Sequence, residues 1–187
     1  MKKQHLLFIL ATCIAISTLF TSCKDDHDHD HDHDHENELI TAVRLTFTNT
    51  ANNTVRTFKW SQPAGPGTAI TTDTITLPVD STFNVSVVLL DESKSPAMDV
   101  TPEIRKYGEE HQFFYTSGTG RLVISNRDND RKNMPLGLAF TAQTSANGSI
   151  LGTLRCVLKH YTSAAPKSTD PQAGSTDADV TFPVKIQ

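Results

Sequence analysis

From about residue 39 onward the chain is written in short runs where apolar and polar positions alternate, with Thr, Val, Phe and Ile prominent. A period of two is the mark of strands buried on one face. Val43, Leu45 and Phe47 alternate with Arg44, Thr46 and Thr48, and Phe58 and Trp60 fall on one side of the next run with Thr57 and Lys59 on the other. The same reading extends to 70–77, 83–90, 111–116, 121–125, 136–144, 150–161 and 179–186, which predicts about nine strands. The breakers between them include Pro63-Ala64-Gly65-Pro66-Gly67 and Asn147-Gly148-Ser149, both turn chemistry. Only 102–110 suits a helical turn, with Pro102 in its first turn and Gly108 as its stop. Many short strands without long helices predict an all-β fold, an antiparallel β-sandwich that is immunoglobulin-like or transthyretin-like, with a closed barrel as the alternative. Runs 85–90 and 151–158 are apolar on both faces and so belong in sheet centres. Pro183 cannot donate to a ladder and marks an edge or a bulge, and 162–176 is a long polar loop.

Composition narrows the class. The 187 residues, 37% hydrophobic and 20% charged, allow one small globular domain with appendages. The net charge of −4 argues against nucleic acid as a partner, since such binders carry a basic face. Of the three cysteines, Cys13 lies in an apolar leader, Cys23 ends it and Cys156 stands alone. No internal disulfide is expected, and Cys156 reads as a small buried hydrophobe. No G-x-S-x-G, phosphate-cradling glycine loop or activated cysteine is present, so the expectation is a protein that is not an enzyme.

The N-terminus carries the most unusual chemistry. Residues 1–22 begin with Lys2 and Lys3, continue through an apolar stretch from Leu6 to Phe20 and end in small residues, the pattern of a signal peptide too short to span as a helix. Leu19-Phe20-Thr21-Ser22-Cys23 resembles the lipobox of bacterial lipoproteins, although Phe20 stands where Leu is usual. That resemblance implies lipidation of Cys23 and anchoring in the outer membrane. Lys24-Asp25-Asp26 resembles the signal that routes lipoproteins of Bacteroidota to the cell surface. Removing the leader takes away Lys2 and Lys3 and no acidic residue, which makes the net charge −6.

The segment 23–38 then links the anchor to the domain 39–187. In it His27, His29, His31, His33 and His35 alternate with Asp28, Asp30, Asp32 and Asp34. Such a stretch has nothing to bury, so it is expected to be a disordered tether. Neutral imidazoles flanked by carboxylates are ligands for zinc or a similar divalent transition metal. In an extended chain alternate residues lie about 6 to 7 Å apart, so the chain must curl to share one ion. Several exchangeable sites of modest affinity are expected, weakening as the imidazoles protonate below about pH 6.5. The competing reading is a solvated acidic spacer, which has no need of five histidines in strict alternation.

Weaker signals lie in the domain. His111 follows Glu109 and Glu110, and together with His160 it could contribute to a second metal site. The plainer expectation is a surface loop and a strand-terminal histidine bonded locally, because nothing in the sequence brings the two together. Asn126-Arg127-Asp128-Asn129-Asp130 has oxygen ligands but lacks the Gly and Glu of a calcium loop, and reads as a charged hairpin loop. Trp60, Phe113, Phe114 and Tyr115 could form a platform for a carbohydrate, and the alternative function is a surface carbohydrate- or protein-binding module in which the tract acts only as a spacer. The leader, the tract and the segments VVLLDES (87–93), EEHQFF (109–114), LGTLRCVLKH (151–160) and DVTFPV (179–184) resemble a family of uncharacterised Bacteroidota surface lipoproteins. That resemblance implies a small β-domain, a role in surface metal capture and a TonB-dependent receptor as partner. It implies no catalytic site.

Overall fold

The computed structural model describes residues 38–145, 148–162 and 165–187. The leader, Cys23 and the whole His/Asp tract lie outside the described residues. Two sheets face each other around one core in an all-β sandwich. The larger contains β1 (Ala42–Asn49), β2 (Val55–Ser61), β3 (Thr71–Thr72), β5 (Thr82–Asp91), β6 (Met98–Asp99), β8 (Leu122–Ser125) and β9 (Ala139–Thr144). Its order is β3-β2-β1-β5-β9-β8, with β6 on β5. The smaller runs β4 (Ile75–Leu77), β11 (Ser175–Ile186), β10 (Ile150–His160), β7 (His111–Ser117).

Alternation builds both layers. Leu45, Phe47, Val85, Val87 and Leu89 of the large sheet and Leu154, Cys156, Leu158, Val180 and Phe182 of the small one are buried, each contributing roughly 1.5–3 kcal/mol of burial. The two runs apolar on both faces are central, β5 lying between β1 and β9 and β10 between β11 and β7. Pro183 occupies the stretch of β11 paired with β10 alone, because β4 joins only at Val184–Ile186. Cys156 is buried in the core, where desolvation pushes its thiol far above the usual range.

Three expectations need correction. The run 70–77 is not one strand: it breaks at Asp73 and Thr74 and changes sheets, β3 pairing with β2 and β4 with β11. Asp73 makes the break by receiving the Lys59 N–H on its carboxylate at 2.8 Å and returning its own N–H to the Lys59 carbonyl at 2.9 Å. The pairing is not purely antiparallel either, since β4 and β11 run parallel. The aromatic residues form no open platform: Phe113 is fully buried, Trp60 is 9% exposed, and Tyr115 packs on Phe113 and Phe140 while its hydroxyl donates to the Gly137 carbonyl.

A short helix, α1 (Thr101–Lys106), and a 3-10 turn, Gly108–Glu110, lead into β7. The Asn126–Asp130 loop uses its carboxylates internally. Asp128 accepts from Ala139 N–H and Arg105, and Asp130 accepts from Lys132 N–H, Met134 N–H and Lys167.

Candidate metal centre

The inward face of the small sheet changes character at one end. Along β7 and β10 the facing pairs are Tyr115 with Cys156, Phe113 with Leu158 and then His111 with His160. The last pair continues the stack, with ring centroids 4.7 Å apart and planes 22° from parallel. Neither histidine is a surface residue, for the His111 side chain is 0% and the His160 side chain 9% exposed. The expectation of a surface loop histidine at 111 is therefore overturned: the strand begins at His111 itself, on the same inward phase as Phe113.

The third member arrives through an irregularity of β11. Leu158 pairs with Ala178 and Lys159 with Thr176, so Asp177 is an extra residue with no partner across the ladder. In strict alternation Asp177 would share the outer face with Asp179 and Thr181. The bulge turns it inward, as bulges re-aim side chains, and its carboxyl is 0% exposed.

Two further carboxylates approach. Glu38, four residues before β1, places Oε2 at 3.7 Å from His111 Nε2, and Asp177 Oδ2 lies 3.6 Å from the same nitrogen. His160 faces Asp177 Oδ1 through Nδ1 at 3.8 Å and Glu110 Oε2 through Nε2 at 3.9 Å. Glu109, on the same 3-10 turn, faces away toward Arg131 and Lys132. Of the acidic pair before His111, only Glu110 thus belongs to the cluster.

The hydrogen bonding is unbalanced. His111 Nδ1 lies 2.9 Å from the Tyr107 carbonyl oxygen, which requires the proton on Nδ1 and, in the neutral imidazole that burial favours, leaves Nε2 as a lone pair. That lone pair faces two carboxylates. Glu38 Oε2, His111 Nε2 and both Asp177 carboxylate oxygens are buried without a hydrogen-bond partner among the described residues. Buried acceptors turned on one another repel unless a cation lies between them.

A shared proton would draw a charged N–H and a carboxylate to about 2.7–2.9 Å, and distances of 3.6 Å and more are not hydrogen bonds. Two ligands each about 2.0–2.1 Å from one zinc ion lie about 3.3 Å apart at the tetrahedral angle. The 3.6 Å between His111 Nε2 and Asp177 Oδ2 exceeds that by only a few tenths of an ångström. One ligand atom each from His111, His160 and Asp177 lies within 4.8 Å of the others, and this group can hold a metal ion.

The electrostatics agree. Burial pushes the Asp177 carboxyl up to about 6, against the pull of His160 and with a further push from Glu38. Burial also lowers the His111 pKa, outweighing the Tyr107 carbonyl that favours its protonated form. The imidazole is kept neutral, as ligation requires, and its Nδ1–H bond to a carbonyl is the usual support behind a metal-bound histidine. The charged form of Asp177 is left costly until a cation joins it.

Comparison with protein-family models, with curated proteins and with solved structures finds no match to this chain.

Proposed function

We propose that this protein binds a divalent transition metal, zinc by its donor set, in the His111, His160 and Asp177 centre, and gathers it at a membrane surface. The observation that carries the reading is the buried His111 Nε2 lone pair facing Glu38 and Asp177 carboxylates at 3.7 and 3.6 Å with no donor between them. Two imidazoles and carboxylate oxygens suit zinc and its neighbours, whereas calcium and magnesium prefer shells of oxygen alone.

The sequence supports the setting. The leader and Cys23 supply a lipid anchor in the outer membrane, facing outward. The tract of His27, Asp28, His29, Asp30, His31, Asp32, His33, Asp34 and His35 supplies further, weaker sites, and the metal is passed to an uptake partner such as a TonB-dependent receptor. A carbohydrate-binding module loses its support, because Phe113 and Tyr115 are spent in the core.

Zinc titration calorimetry on residues 24–187 tests the reading, alongside a version lacking 25–36 and a His111→Ala variant. The expected result is one tight site that survives the deletion and disappears with His111, plus weaker sites that the deletion removes. If all binding vanishes with the deletion, the sandwich holds no metal.

A further inference from the structure

The two imidazoles of the centre are supported from one place. Residues 107–110 form the turn that leads from α1 into β7, and polar groups of this turn reach both rings. The Tyr107 carbonyl accepts the His111 Nδ1–H at 2.9 Å and the Glu110 N–H at 2.9 Å. The Glu110 carbonyl accepts the N–H of Tyr161, the residue after His160, at 2.7 Å. That bond fixes Glu110 beside the end of β10, and its carboxylate Oε2 lies 3.9 Å from His160 Nε2.

The turn itself is held from outside. Glu109 pairs with Arg131 at 3.3 Å and Lys132 at 3.0 Å. Gly108 is buried so closely that an added Cβ would lie 3.3 Å from the Asp130 Cβ. The backbone that carries Glu110 is therefore placed by the fold and needs no ion to place it.

Only one nitrogen of His160 can take the ion, because the two nitrogens of an imidazole point away from each other. Nδ1 faces Asp177 Oδ1 at 3.8 Å, and the other oxygen of the same carboxylate lies 3.6 Å from His111 Nε2. Asp177 is common to both histidines, so the ion belongs beside it, on Nδ1 of His160. The remaining proton then belongs on Nε2, toward Glu110. A gap of 3.9 Å is too long for a hydrogen bond, but the Glu110 side chain is 32% exposed and has room to close it.

We propose, resting on the metal reading above, that Glu110 is the positioning residue of His160: it takes the Nε2–H of that ring and presents Nδ1 to the ion, as the Tyr107 carbonyl takes the Nδ1–H of His111 and presents Nε2. One turn thus sets the tautomer of both ligands and makes the centre a mixed one, Nε2 from β7 and Nδ1 from β10. A carboxylate behind a ligating histidine also raises the basicity of the ring, and it adds negative charge without using a coordination position. Partners of this kind are worth about 10–100-fold in metal affinity.

Long-range proton–nitrogen NMR correlation reads the tautomer of each histidine ring separately, and zinc is the probe. Isotope-labelled chain 24–187 is titrated beside Glu110→Gln and Glu109→Gln, with each midpoint taken from the His111 and His160 ring signals so that other histidines do not enter it. In the zinc-loaded parent His111 is expected to carry its proton on Nδ1 and His160 on Nε2. Glu110→Gln is expected to fold normally in chelator and to weaken the midpoint about tenfold or more. It should also move the His160 Nε2–H proton upfield, since a carboxylate acceptor draws that proton downfield, and leave the His111 Nδ1–H proton in place. Glu109→Gln removes the same charge from the same turn and is expected to stay within about twofold of the parent.

A loaded parent with zinc on His160 Nε2 overturns the assignment without any variant. A Glu110→Gln protein with the parental midpoint overturns it as well, and so does a Glu109→Gln loss as large as that of Glu110→Gln, which would make the effect one of net charge alone. In all three cases the ring signals still respond to zinc and the metal centre stands. A parent whose His111 and His160 signals ignore zinc refutes the centre, and this inference with it.

Discussion

Replacing Asp177 by Asn separates what the centre needs from what the fold needs. The folded-state pKa of Asp177 is about 6 against an ordinary 3.8, a rise of about two units, and at 1.36 kcal/mol per unit ionising this carboxyl costs the metal-free fold about 3 kcal/mol. The folded value lies above the unfolded one. The stability due to the protonated acid is therefore fully present below about pH 4 and is lost as pH rises through about 6.

At pH 7.5 in chelator the wild type bears the whole cost and Asp177→Asn bears none of it. Asparagine still buries an amide, but its NH2 can donate to the lone pairs of His111 Nε2 and Glu38, so a net gain of about 1–3 kcal/mol is expected. For a domain of this size that is a Tm about 3–10 °C higher than wild type. At pH 4 the gap closes. Protonation of His111, whose pKa is lowered by burial, penalises the two proteins by different amounts as pH falls, because position 177 lies 3.6 Å from its Nε2, so the comparison at pH 7.5 is the one that isolates Asp177. With zinc in excess the order reverses, because the wild type gains RT ln(1 + [L]/Kd) and the variant gains little. Thermal melts by circular dichroism across pH, with and without zinc, read all of this. A variant less stable than wild type in chelator at pH 7.5, or one with an undiminished zinc shift, would refute the reasoning.

Other outcomes follow from the same structure. Because burial raises the Asp177 carboxyl to about 6, protons should compete with zinc at the sandwich centre as pH falls through about 6 and zinc affinity should drop there; equilibrium dialysis of the tract-deleted protein at pH 7.5 and 5.0 measures the difference. The Lys167 side chain is 4% exposed and its Nζ bonds Asp130 at 2.7 Å and the Pro135 carbonyl at 2.9 Å, so Lys167→Ala leaves a buried carboxylate without its counter-charge and should cost about 3–5 kcal/mol in urea unfolding. The double variant with Asp130→Asn should recover part of that loss. At Gly174, φ is +74° and an added Cβ would lie 2.4 Å from the His160 carbonyl; Gly174→Ala should lower stability by about 1–3 kcal/mol and weaken zinc binding, because the residue it displaces carries a ligand.

The layers were legible because alternation is local. Leu154, Cys156 and Leu158 announce the inner face of β10 by themselves, and β5 and β10 are recognisable as central from apolar residues on both faces. The sheet switch at Asp73 left only a faint trace, an Asp-Thr pair within an otherwise strand-like run, because what decides it is hydrogen bonding to Lys59 in another strand. The candidate metal centre was half visible. His111 and Glu110 stood out in sequence, but their pairing with His160 depends on β7 meeting β10 across about fifty residues of chain, which no periodicity reports. Asp177 was concealed: Asp177 and Asp179 share one phase with Thr181, and period-two reasoning sends all three to solvent. Only the extra residue opposite Leu158 and Lys159 reverses that for Asp177 and not for Asp179, which stays outside and pairs with Arg155.

That extra residue bears on how such a protein could arise and be lost. Lys159 pairs with Thr176 and Leu158 with Ala178, so excising Asp177 would join two correctly paired stretches into one regular strand with every other register preserved. The sandwich and its candidate metal centre are thus separated by a single codon. A lineage could gain or discard the centre by a three-nucleotide insertion or deletion without trespassing on the hydrophobic interior, and the metal-free sibling would be the more regular protein of the two.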